Sequence, residues 1–298
     1  MRCPACEEER LQQIGELSRI PGLFELPKPG FLHYCRNCHL FFRHPFPSSS
    51  ELVETYKRVP ETHWQYKGIR NDYKLAFSAL MKLKQSGNIL DVGCYRGDFL
   101  QLFPDGFSRY GIEPSQAAAR TAEIRGINIL GDTVEQVDFK GLRFDIITLI
   151  DVLEHLHSPF QTLKKLATLL NAGGILLSTT GNTNSLLWRL MRLDYWYYTP
   201  EHISFFNPRW FRWASKQLDL PIIRMYKLSH HEGSLWESYR QFFQGLTFLF
   251  LKRLSRHTIL KNLLSRLYPF NRAVHWTHSP PAMSYKDHLL VALQAERV

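Results

Sequence analysis

The sequence of 298 residues has no apolar run near the ~20 residues that a membrane-spanning helix needs. Its first residues, 1–4 (MRCP), do not begin the apolar core of a secretory signal. Cysteine is scarce, with five residues in the whole chain. These absences argue against an integral membrane protein and against a secreted one, and they predict a reducing, cytoplasmic location.

A dinucleotide-binding glycine pattern is also missing. Residues 88–98 (NILDVGCYRGD) contain an apolar run that ends at Asp91 and a turn that carries Gly93 and Gly97. This spacing does not fit G-x-G-x-x-G, the pattern that holds a pyrophosphate. An apolar run, a glycine-containing turn and a helix-like segment, in that order, still predict the entry into a βαβ unit.

A second apolar segment ends at an isolated acid, Glu113, 22 residues after Asp91. A carboxylate at the end of a second strand can accept hydrogen bonds from both hydroxyls of a ribose. Asp91, directly before the turn, would repel phosphate and could help hold a cation. The charges therefore favour S-adenosylmethionine, which carries a ribose, an ammonium and a sulfonium but no phosphate.

Four segments in order resemble the motifs of class I S-adenosylmethionine-dependent methyltransferases. Residues 90–97 resemble the first motif and 110–115 the second, while 131–132 resemble the segment whose acid faces the adenine amino group. Residues 144–156 resemble the fourth strand with its Leu-Glu-His end. The implied fold is α/β, with a doubly wound, Rossmann-like sheet of seven strands. One departure is Tyr95, which replaces the middle glycine of the first motif.

The resemblance also implies a cofactor site beyond the carboxyl ends of the strands, where such sheets bind their ligands. Glu113 would bind the ribose and Asp132 the adenine amino group. Gly93 and Gly97 would let the backbone approach the methionine part, and Cys94 would pack rather than react. The expected cofactor-binding residues are Asp91, Gly93, Cys94, Gly97, Glu113, Asp132, Thr133, Asp151 and Val152.

The other cysteines form two C-x-x-C pairs, Cys3 with Cys6 and Cys35 with Cys38. In a cytosolic chain this pattern favours a structural zinc ion closed by four thiolates. Redox-active or unpaired cysteines and two disulfides are the alternatives. The pairs, together with residues 33–48, resemble the N-terminal zinc-binding region of a methyltransferase subgroup. Some of its members are C-methyltransferases that act on nucleotide-activated deoxysugars, which implies a sugar-type acceptor.

The organisation predicted along the chain has four parts. A small zinc-ribbon module comes first, followed by the methyltransferase domain, a basic aromatic helical insertion and the last strand of the sheet. Helical pattern is expected over 51–87, and a further helix from Pro159 to about Asn171. The four predicted parts are residues 1–48, 49–233, 234–282 and 283–298.

Methyl transfer needs a group that removes the acceptor's proton, and the candidates are His202 and His155, either of them helped by a neighbouring acid such as Glu154. Residues 198–206 (YTPEHISFF) resemble the H-x-x-x-F segment that these methyltransferases carry over the active site. The aromatic run 195–198 predicts either a lid over the acceptor or core packing.

The basic charge is concentrated in the predicted insertion. Of the formal net charge of +10, residues 234–282 supply seven Lys or Arg and one acid, Glu237. Apolar bulk flanked by cations over 236–272 suits an amphipathic helix at the anionic inner face of a membrane. It equally suits a dimer contact, a lid over the substrate, or a helix that covers the sheet with a solvated basic face.

Two other functions fit part of the sequence. The net charge is compatible with an rRNA or tRNA methyltransferase, but residues 151–154 (DVLE) lack the [N/D/S]-P-P-[Y/F] segment used for amino groups of adenine. The crevice also has no cysteine besides Cys94 for methylation of cytosine C5. A degenerate scaffold would follow if Tyr95 abolished cofactor binding. We expect methyl transfer to a small-molecule acceptor, and not to nucleic acid.

Overall fold

Two sheets organise the chain, one of seven strands and one of four. The computed structural model describes residues 1–20, 22, 30–60, 62, 66, 68–254, 279–281 and 285–296. The strands are β1 (Leu11–Glu16), β2 (Phe31–Cys35), β3 (Phe41–His44), β4 (Gly87–Val92), β5 (Phe107–Ile112), β6 (Asn128–Gly131), β7 (Phe144–Ile150), β8 (Leu170–Gly181), β9 (Ser204–Phe205), β10 (Ile222–Leu228) and β11 (His288–Gln294). The helices are α1 (Ser49–Arg58), α2 (Asn71–Met81), α3 (Gln116–Ile124), α4 (Pro159–Ala167), α5 (Leu186–Met191), α6 (Pro208–Leu218) and α7 (Leu235–Leu254).

The large sheet has the strand order β10-β11-β8-β7-β4-β5-β6. Its strands run parallel except β11, which is antiparallel to both of its neighbours. The central strands are continuous apolar runs because both of their faces are covered. In β7, Ile146 belongs to one hydrophobic cluster, with residues of α2 and α3, and Ile147 to another, with residues of α4 and α6. The predicted doubly wound, Rossmann-like sheet of seven strands is confirmed.

The small sheet joins the N-terminal segment to the later part of the chain. Its order is β1-β2-β3-β9, and β9 lies between β8 and α6 in the sequence. Phe41 pairs with Phe205 and Phe42 with Ser204 in antiparallel register. Two residues of the predicted methyltransferase domain thus complete the sheet that the predicted zinc module begins. The four-part division of the chain stays a prediction.

The helical signals were correct about where helices begin and less so about where they end. Ser48 and Glu51 form the capping box of α1. Within the described residues, the segment 51–87 that was expected to be helical contains most of α1 and the whole of α2. α4 begins at Pro159 as expected but ends at Ala167, because Leu170 already pairs with Phe144 and starts β8.

The predicted insertion contains α7, which packs on α5. A Cβ atom at Gly245 would lie 2.7 Å from Met191 Cε, so the two helices approach closely there. Phe248 is buried, whereas four apolar side chains near the start of the helix are exposed: Leu235, Trp236, Tyr239 and Phe243. Within the described residues, no helix combines the length and the hydropathy that crossing a membrane requires. Contact with a membrane surface stays a prediction, and four of its cations, Arg256, Lys261, Arg266 and Arg272, lie outside the described residues.

Candidate functional site

Four acids lie at the carboxyl edge of the parallel strands, as the sequence predicts. Asp91 is the last residue but one of β4, Glu113 directly follows β5, Asp132 directly follows β6, and Asp151 directly follows β7. Parallel strands bring these ends to one edge of the sheet, so the acids line a single crevice.

Glu113 is held by the backbone of the glycine turn. Its carboxylate accepts hydrogen bonds from the backbone N–H groups of Tyr95 and Ser115, each at 2.8 Å. The side chain is buried, and burial raises its pKa to about 7. Tyr95 itself has φ of +51°. The turn that follows β4 is therefore shaped so that a main-chain amide faces this carboxylate.

Asp91 is also buried and has an elevated pKa. Thr148, on the neighbouring β7, donates its hydroxyl to Asp91 Oδ1 at 2.6 Å. Burial nevertheless raises the pKa of Asp91 to about 7, because one hydroxyl offsets only part of the lost hydration. Near neutral pH both crevice carboxylates lie close to their titration midpoints.

Helix α1 lies across the adenine side of the predicted site. Lys57 pairs with Asp132 at 3.0 Å, and the Ser115 hydroxyl donates to the Val59 carbonyl at 2.9 Å. Thr133 follows Asp132 and begins a turn, where its carbonyl accepts from Gln136. Asp132 thus already accepts an N–H donor, which is the interaction that an adenine amino group would make.

The glycines and Cys94 of the turn are placed by close packing. Gly93 has φ of +72°, and a Cβ there would lie 2.5 Å from Val152 Cγ2. Gly97 is also in the left-handed region, with φ of +78°. The Cys94 thiol lies 2.5 Å from the position of a Cβ at Gly111, and burial raises its pKa well above the usual value. A buried neutral thiol is a poor nucleophile, in keeping with a packing role.

Glu154, in the short turn that follows β7, is fully buried. Thr180 donates to Glu154 Oε2 at 2.8 Å and the Tyr197 hydroxyl donates to Oε1. Burial raises the pKa of Glu154. Because both oxygens have donors, Glu154 holds its neighbours in place rather than facing open solvent.

The structure brings His155 and His202 together, with ring centroids 4.7 Å apart. His202 Nδ1 lies 2.7 Å from the Tyr197 carbonyl, which can only accept, so this nitrogen carries the proton. Burial holds the pKa of His202 well below its usual value, and the ring is neutral with Nε2 available as an acceptor. His155 Nδ1 lies 2.7 Å from the Tyr56 hydroxyl and 3.1 Å from the Glu201 carbonyl.

The aromatic run before His202 is part of the core. Tyr195, Tyr197 and Tyr198 are each at most 3% exposed and pack with Trp188. Trp188 Nε1 donates to the Tyr198 hydroxyl at 2.7 Å. Of the two alternatives for these tyrosines, core packing is the one observed.

The four paired cysteines also meet. Their Sγ atoms lie within 4.8 Å of one another, and two pairs, Cys3 with Cys38 and Cys6 with Cys35, are each 3.5 Å apart. Four thiolates around zinc at ~2.3 Å would be ~3.8 Å apart, which requires only a small expansion. The residues fit a closed tetrahedral metal centre. None of the five cysteines is in a disulfide.

Sequence reasoning missed a buried charged network beside Asp151. Arg70 pairs with Asp151 and with Asp72, and His230 Nδ1 lies 3.2 Å from Asp72. His230 Nε2 lies 2.8 Å from Nε2 of His288, whose Nδ1 lies 2.7 Å from Asp287. These residues come from α2 and from either side of the predicted insertion, so no local spacing joins them. The one signal was histidine at positions otherwise expected to be apolar, two residues after the end of β10 and at the start of β11.

Comparison with known proteins gives a family match over the middle of the chain. The profile of the family described as "Methyltransferase domain" matches residues 63–224. A ubiquinone biosynthesis O-methyltransferase of Alkalilimnicola ehrlichii is 31% identical over 121 residues, covering 36% of this chain and 47% of the relative. One from Serratia proteamaculans is 31% identical over 108 residues, covering 34% and 45%. The chain spans about half the length of these curated relatives.

Solved structures with a similar chain path include the N-methyltransferase NodS of Bradyrhizobium japonicum in complex with S-adenosyl-L-homocysteine. It is 14% identical with a TM-score of 0.46, over 82% of this chain and 97% of that one. An S-adenosylmethionine-dependent methyltransferase of Methanosarcina mazei is 14% identical with a TM-score of 0.48, over 74% and 98%.

Arg43 tests how the cysteine-bearing sheet holds segment 198–206. Its buried guanidinium donates to the Tyr198 carbonyl at 2.6 Å, and its backbone N–H donates to the Ile203 carbonyl at 2.8 Å. We expect Arg43→Met to lower the free energy of unfolding by about 1–3 kcal/mol, because it leaves the Tyr198 carbonyl without its donor. Amide exchange should become faster in 198–206 than in β4 to β8. Arg36→Met, at an exposed position in the turn between β2 and β3, is the control, and equal exchange in both variants would contradict the assigned contact.

Proposed function

Because the chain belongs to the methyltransferase-domain family, we propose that it uses S-adenosylmethionine to methylate a small, sugar-type acceptor. This acceptor is in particular a nucleotide-activated sugar of polysaccharide or natural-product metabolism. The observation that supports cofactor binding best is the buried Glu113 carboxylate at the end of β5, fixed by two backbone N–H groups. The sugar-type acceptor rests on the resemblance of the cysteine-bearing segment to that of sugar methyltransferases.

The proposed cofactor site uses the acids at the strand ends. Glu113 accepts from the ribose hydroxyls, Asp132 from the adenine amino group, and Asp91 attracts the positive charge of the methionine part. Gly93, Cys94, Gly97, Thr133, Asp151 and Val152 complete the walls. When bound, S-adenosylmethionine supplies a methyl group on an already activated sulfonium, so the chain's own task is alignment and proton removal.

Cofactor affinity is expected to rise with pH between 6 and 8. Glu113 and Asp91 both have pKa values of about 7. The ionised carboxylate is the stronger acceptor of hydrogen bonds from hydroxyls, and only the ionised form attracts a cation. Each group that must ionise should weaken binding about tenfold at pH 6 relative to pH 8. For the cofactor-free chain the sign is opposite. Ionising these buried acids costs stability, so their contribution to the unfolding free energy falls as the pH rises from about 4 to about 7.

Titration calorimetry with S-adenosylmethionine at both pH values measures this dependence. Glu113→Gln should weaken binding and flatten the profile, since glutamine cannot ionise, while Glu123→Gln at an exposed position of α3 serves as the control. Absence of binding in the wild type would contradict the proposed cofactor site.

A screen of nucleotide-activated sugars and phenolic hydroxyl compounds then tests the acceptor. Methylation of RNA alone would overturn the sugar-type proposal.

We further propose His202 as the proton acceptor and His155 as the residue that orients it. His202 is neutral and presents Nε2, because its Nδ1 proton is given to the Tyr197 carbonyl. Glu154 acts through Tyr197. It accepts a hydrogen bond from the Tyr197 hydroxyl, and the centroid of the Tyr197 ring lies 4.2 Å from that of His202.

His202→Gln is expected to lower kcat by about 10²–10⁴-fold, the usual contribution of a general base. The dissociation constant for S-adenosylmethionine should stay within about twofold, since no cofactor-binding group changes. His157→Gln, which affects a half-buried histidine bound to the Pro47 carbonyl, is the matched control. Single-turnover methyl transfer to the acceptor found in the screen provides the rate. A larger loss in His155→Gln than in His202→Gln would exchange the two roles.

The cysteine cluster is proposed to bind one structural zinc ion through Cys3, Cys6, Cys35 and Cys38. All four positions offer sulfur only, so the site is closed and leaves no open position for a substrate. The zinc would fix β1 to β3 and, through the β3–β9 pairing, the segment that carries His202.

We expect Cys35→Ser/Cys38→Ser to lose the thiolate-bound metal and to speed amide exchange in 198–206. Replacement of the metal by cobalt(II) should give thiolate-to-cobalt charge-transfer absorption in the wild type and none in this variant. Cys94→Ser, at the cysteine outside the cluster, should keep the absorption. Charge-transfer bands that survive in the double variant would contradict the assigned ligands.

A further inference from the structure

The network beside Asp151 is largely buried and lies at the same edge of the sheet as the crevice, with the side chains of Arg70 and Asp151 23% and 20% exposed. Asp72, Asp287 and His288 are 0% exposed and His230 is 8% exposed. Asp151 follows β7 directly and has φ of +54°, an uncommon conformation for a residue other than glycine. His288 is the first residue of β11 and pairs with Gly181 at the end of β8. The network is thus built from several distant segments that converge on one point.

The proton on His230 can be assigned from hydrogen-bond counting. Arg70 Nη2 lies 3.0 Å from His230 Nδ1. Nη2 has only two protons, and it donates them to the carboxylates of Asp72 and Asp151, so it has none left for His230. Nδ1 of His230 therefore carries its own proton and donates it to Asp72 at 3.2 Å. In the neutral ring this leaves Nε2 as a bare lone pair.

The same reasoning applies to His288. Its Nδ1 lies 2.7 Å from Asp287 Oδ1, and a carboxylate accepts, so Nδ1 carries the proton. The other oxygen of Asp287, Oδ2, accepts a hydrogen bond from the hydroxyl of Tyr195. Two bare Nε2 atoms then face each other at 2.8 Å, an unfavourable contact unless a proton or a metal ion lies between or beside them.

The charges of the network favour a metal ion over a shared proton. Asp72, Asp151 and Asp287 carry three negative charges, and Arg70 carries one positive charge, so neutral histidines leave an excess of two negative charges. One shared proton would leave one of them uncompensated in a buried site, where unpaired charge is costly. A divalent cation would neutralise the excess and accept both lone pairs.

Asp151 supplies the third candidate ligand, and its Oδ2 lies 3.7 Å from His230 Nδ1. Asp151 Oδ1 is buried and has no hydrogen-bond partner within the described residues, while Oδ2 is taken by Arg70. Ligand atoms of Asp151, His230 and His288 lie within 4.8 Å of one another. Glu154, His155 and His202 are equally close together, but both oxygens of Glu154 already accept from Thr180 and Tyr197.

We propose that Asp151, His230 and His288 bind a divalent transition-metal ion, separate from the ion at the four cysteines. Two imidazole nitrogens and one carboxylate oxygen suit Zn²⁺, Fe²⁺ or Mn²⁺. Asp287 and Asp72 then act as the carboxylates that orient the two ligating histidines. Metal–nitrogen bonds of about 2.1 Å would place the two Nε2 atoms ~3.4 Å apart, so binding opens the pair by roughly half an ångström.

The ion would lie at the edge of the acceptor crevice, where it could lower the pKa of an acceptor hydroxyl. That role rests on the proposed function, whereas metal binding itself does not. The two can fail separately, because metal content is measured without cofactor or acceptor.

The test is the number of metal ions held by the purified full-length chain. The protein is stripped with chelator, reconstituted with Zn²⁺ or Co²⁺ alone, freed of excess and measured by elemental analysis. We expect two equivalents in the wild type, one in His230→Ala and one in His288→Ala. His231→Ala, which removes the next histidine in the chain and leaves the network intact, should keep two.

Spectra of the cobalt form supply a readout that does not require the buried histidines to be replaced. Cys35→Ser/Cys38→Ser should keep one cobalt ion with ligand-field bands and without thiolate charge transfer. A single equivalent in the wild type, held only by the cysteines, would overturn the proposal and assign a shared proton to the histidine pair. Two equivalents that persist in both His230→Ala and His288→Ala would overturn it as well.

Discussion

Segment 198–206 is held between two distant parts of the chain by one residue, Ile203, whose two backbone groups bond in opposite directions. The Ile203 N–H donates to the Glu154 carbonyl at 2.7 Å, and the Ile203 carbonyl accepts from the Arg43 N–H at 2.8 Å. The first bond ties segment 198–206 to the end of β7, and the second ties it to the cysteine-bearing sheet. A small sheet that is remote in sequence thereby helps to hold the segment that carries His202, together with the β3–β9 pairing and the bond from Arg43 to the Tyr198 carbonyl.

Each acid of the crevice has a different kind of compensation. Glu113 has two main-chain N–H groups, Asp91 a hydroxyl, Asp132 the ammonium of Lys57, and Asp151 the guanidinium of Arg70. Neutral dipoles leave the pKa values of Glu113 and Asp91 raised by burial, whereas the guanidinium of Arg70 helps to keep that of Asp151 low. The two acids without a cationic partner, Glu113 and Asp91, are those proposed to contact the ribose and the charged methionine part. The ligand would then supply the hydrogen-bond donors and the positive charge that these acids lack in the protein alone.

The sequence predicted what is local and missed what is made by distant segments. The strand ends at Asp91, Glu113 and Asp132 follow from apolar runs that stop at an acid, and the paired cysteines from their spacing. The end of α4 was misplaced because pairing of Leu170 with Phe144 outweighs the helix-ending signal of residues 171–174. The contact of His230 with His288 could not be predicted, because 58 residues separate them and most of that interval was assigned to an insertion.

Tyr95 shows why a departure from a glycine pattern need not abolish a site. A glycine in such a turn provides a left-handed backbone and room for a ligand. Tyr95 adopts φ of +51° at a cost on the order of 1 kcal/mol, and its N–H still reaches Glu113. Its hydroxyl lies 3.4 Å from the Pro60 carbonyl, beyond the end of α1, so the side chain extends towards the segment that follows this helix. The conformation that the turn needs is kept, and the hydroxyl adds a contact between the turn and the segment that follows α1. In physical terms the substitution thus favours a covered cofactor site over a degenerate scaffold.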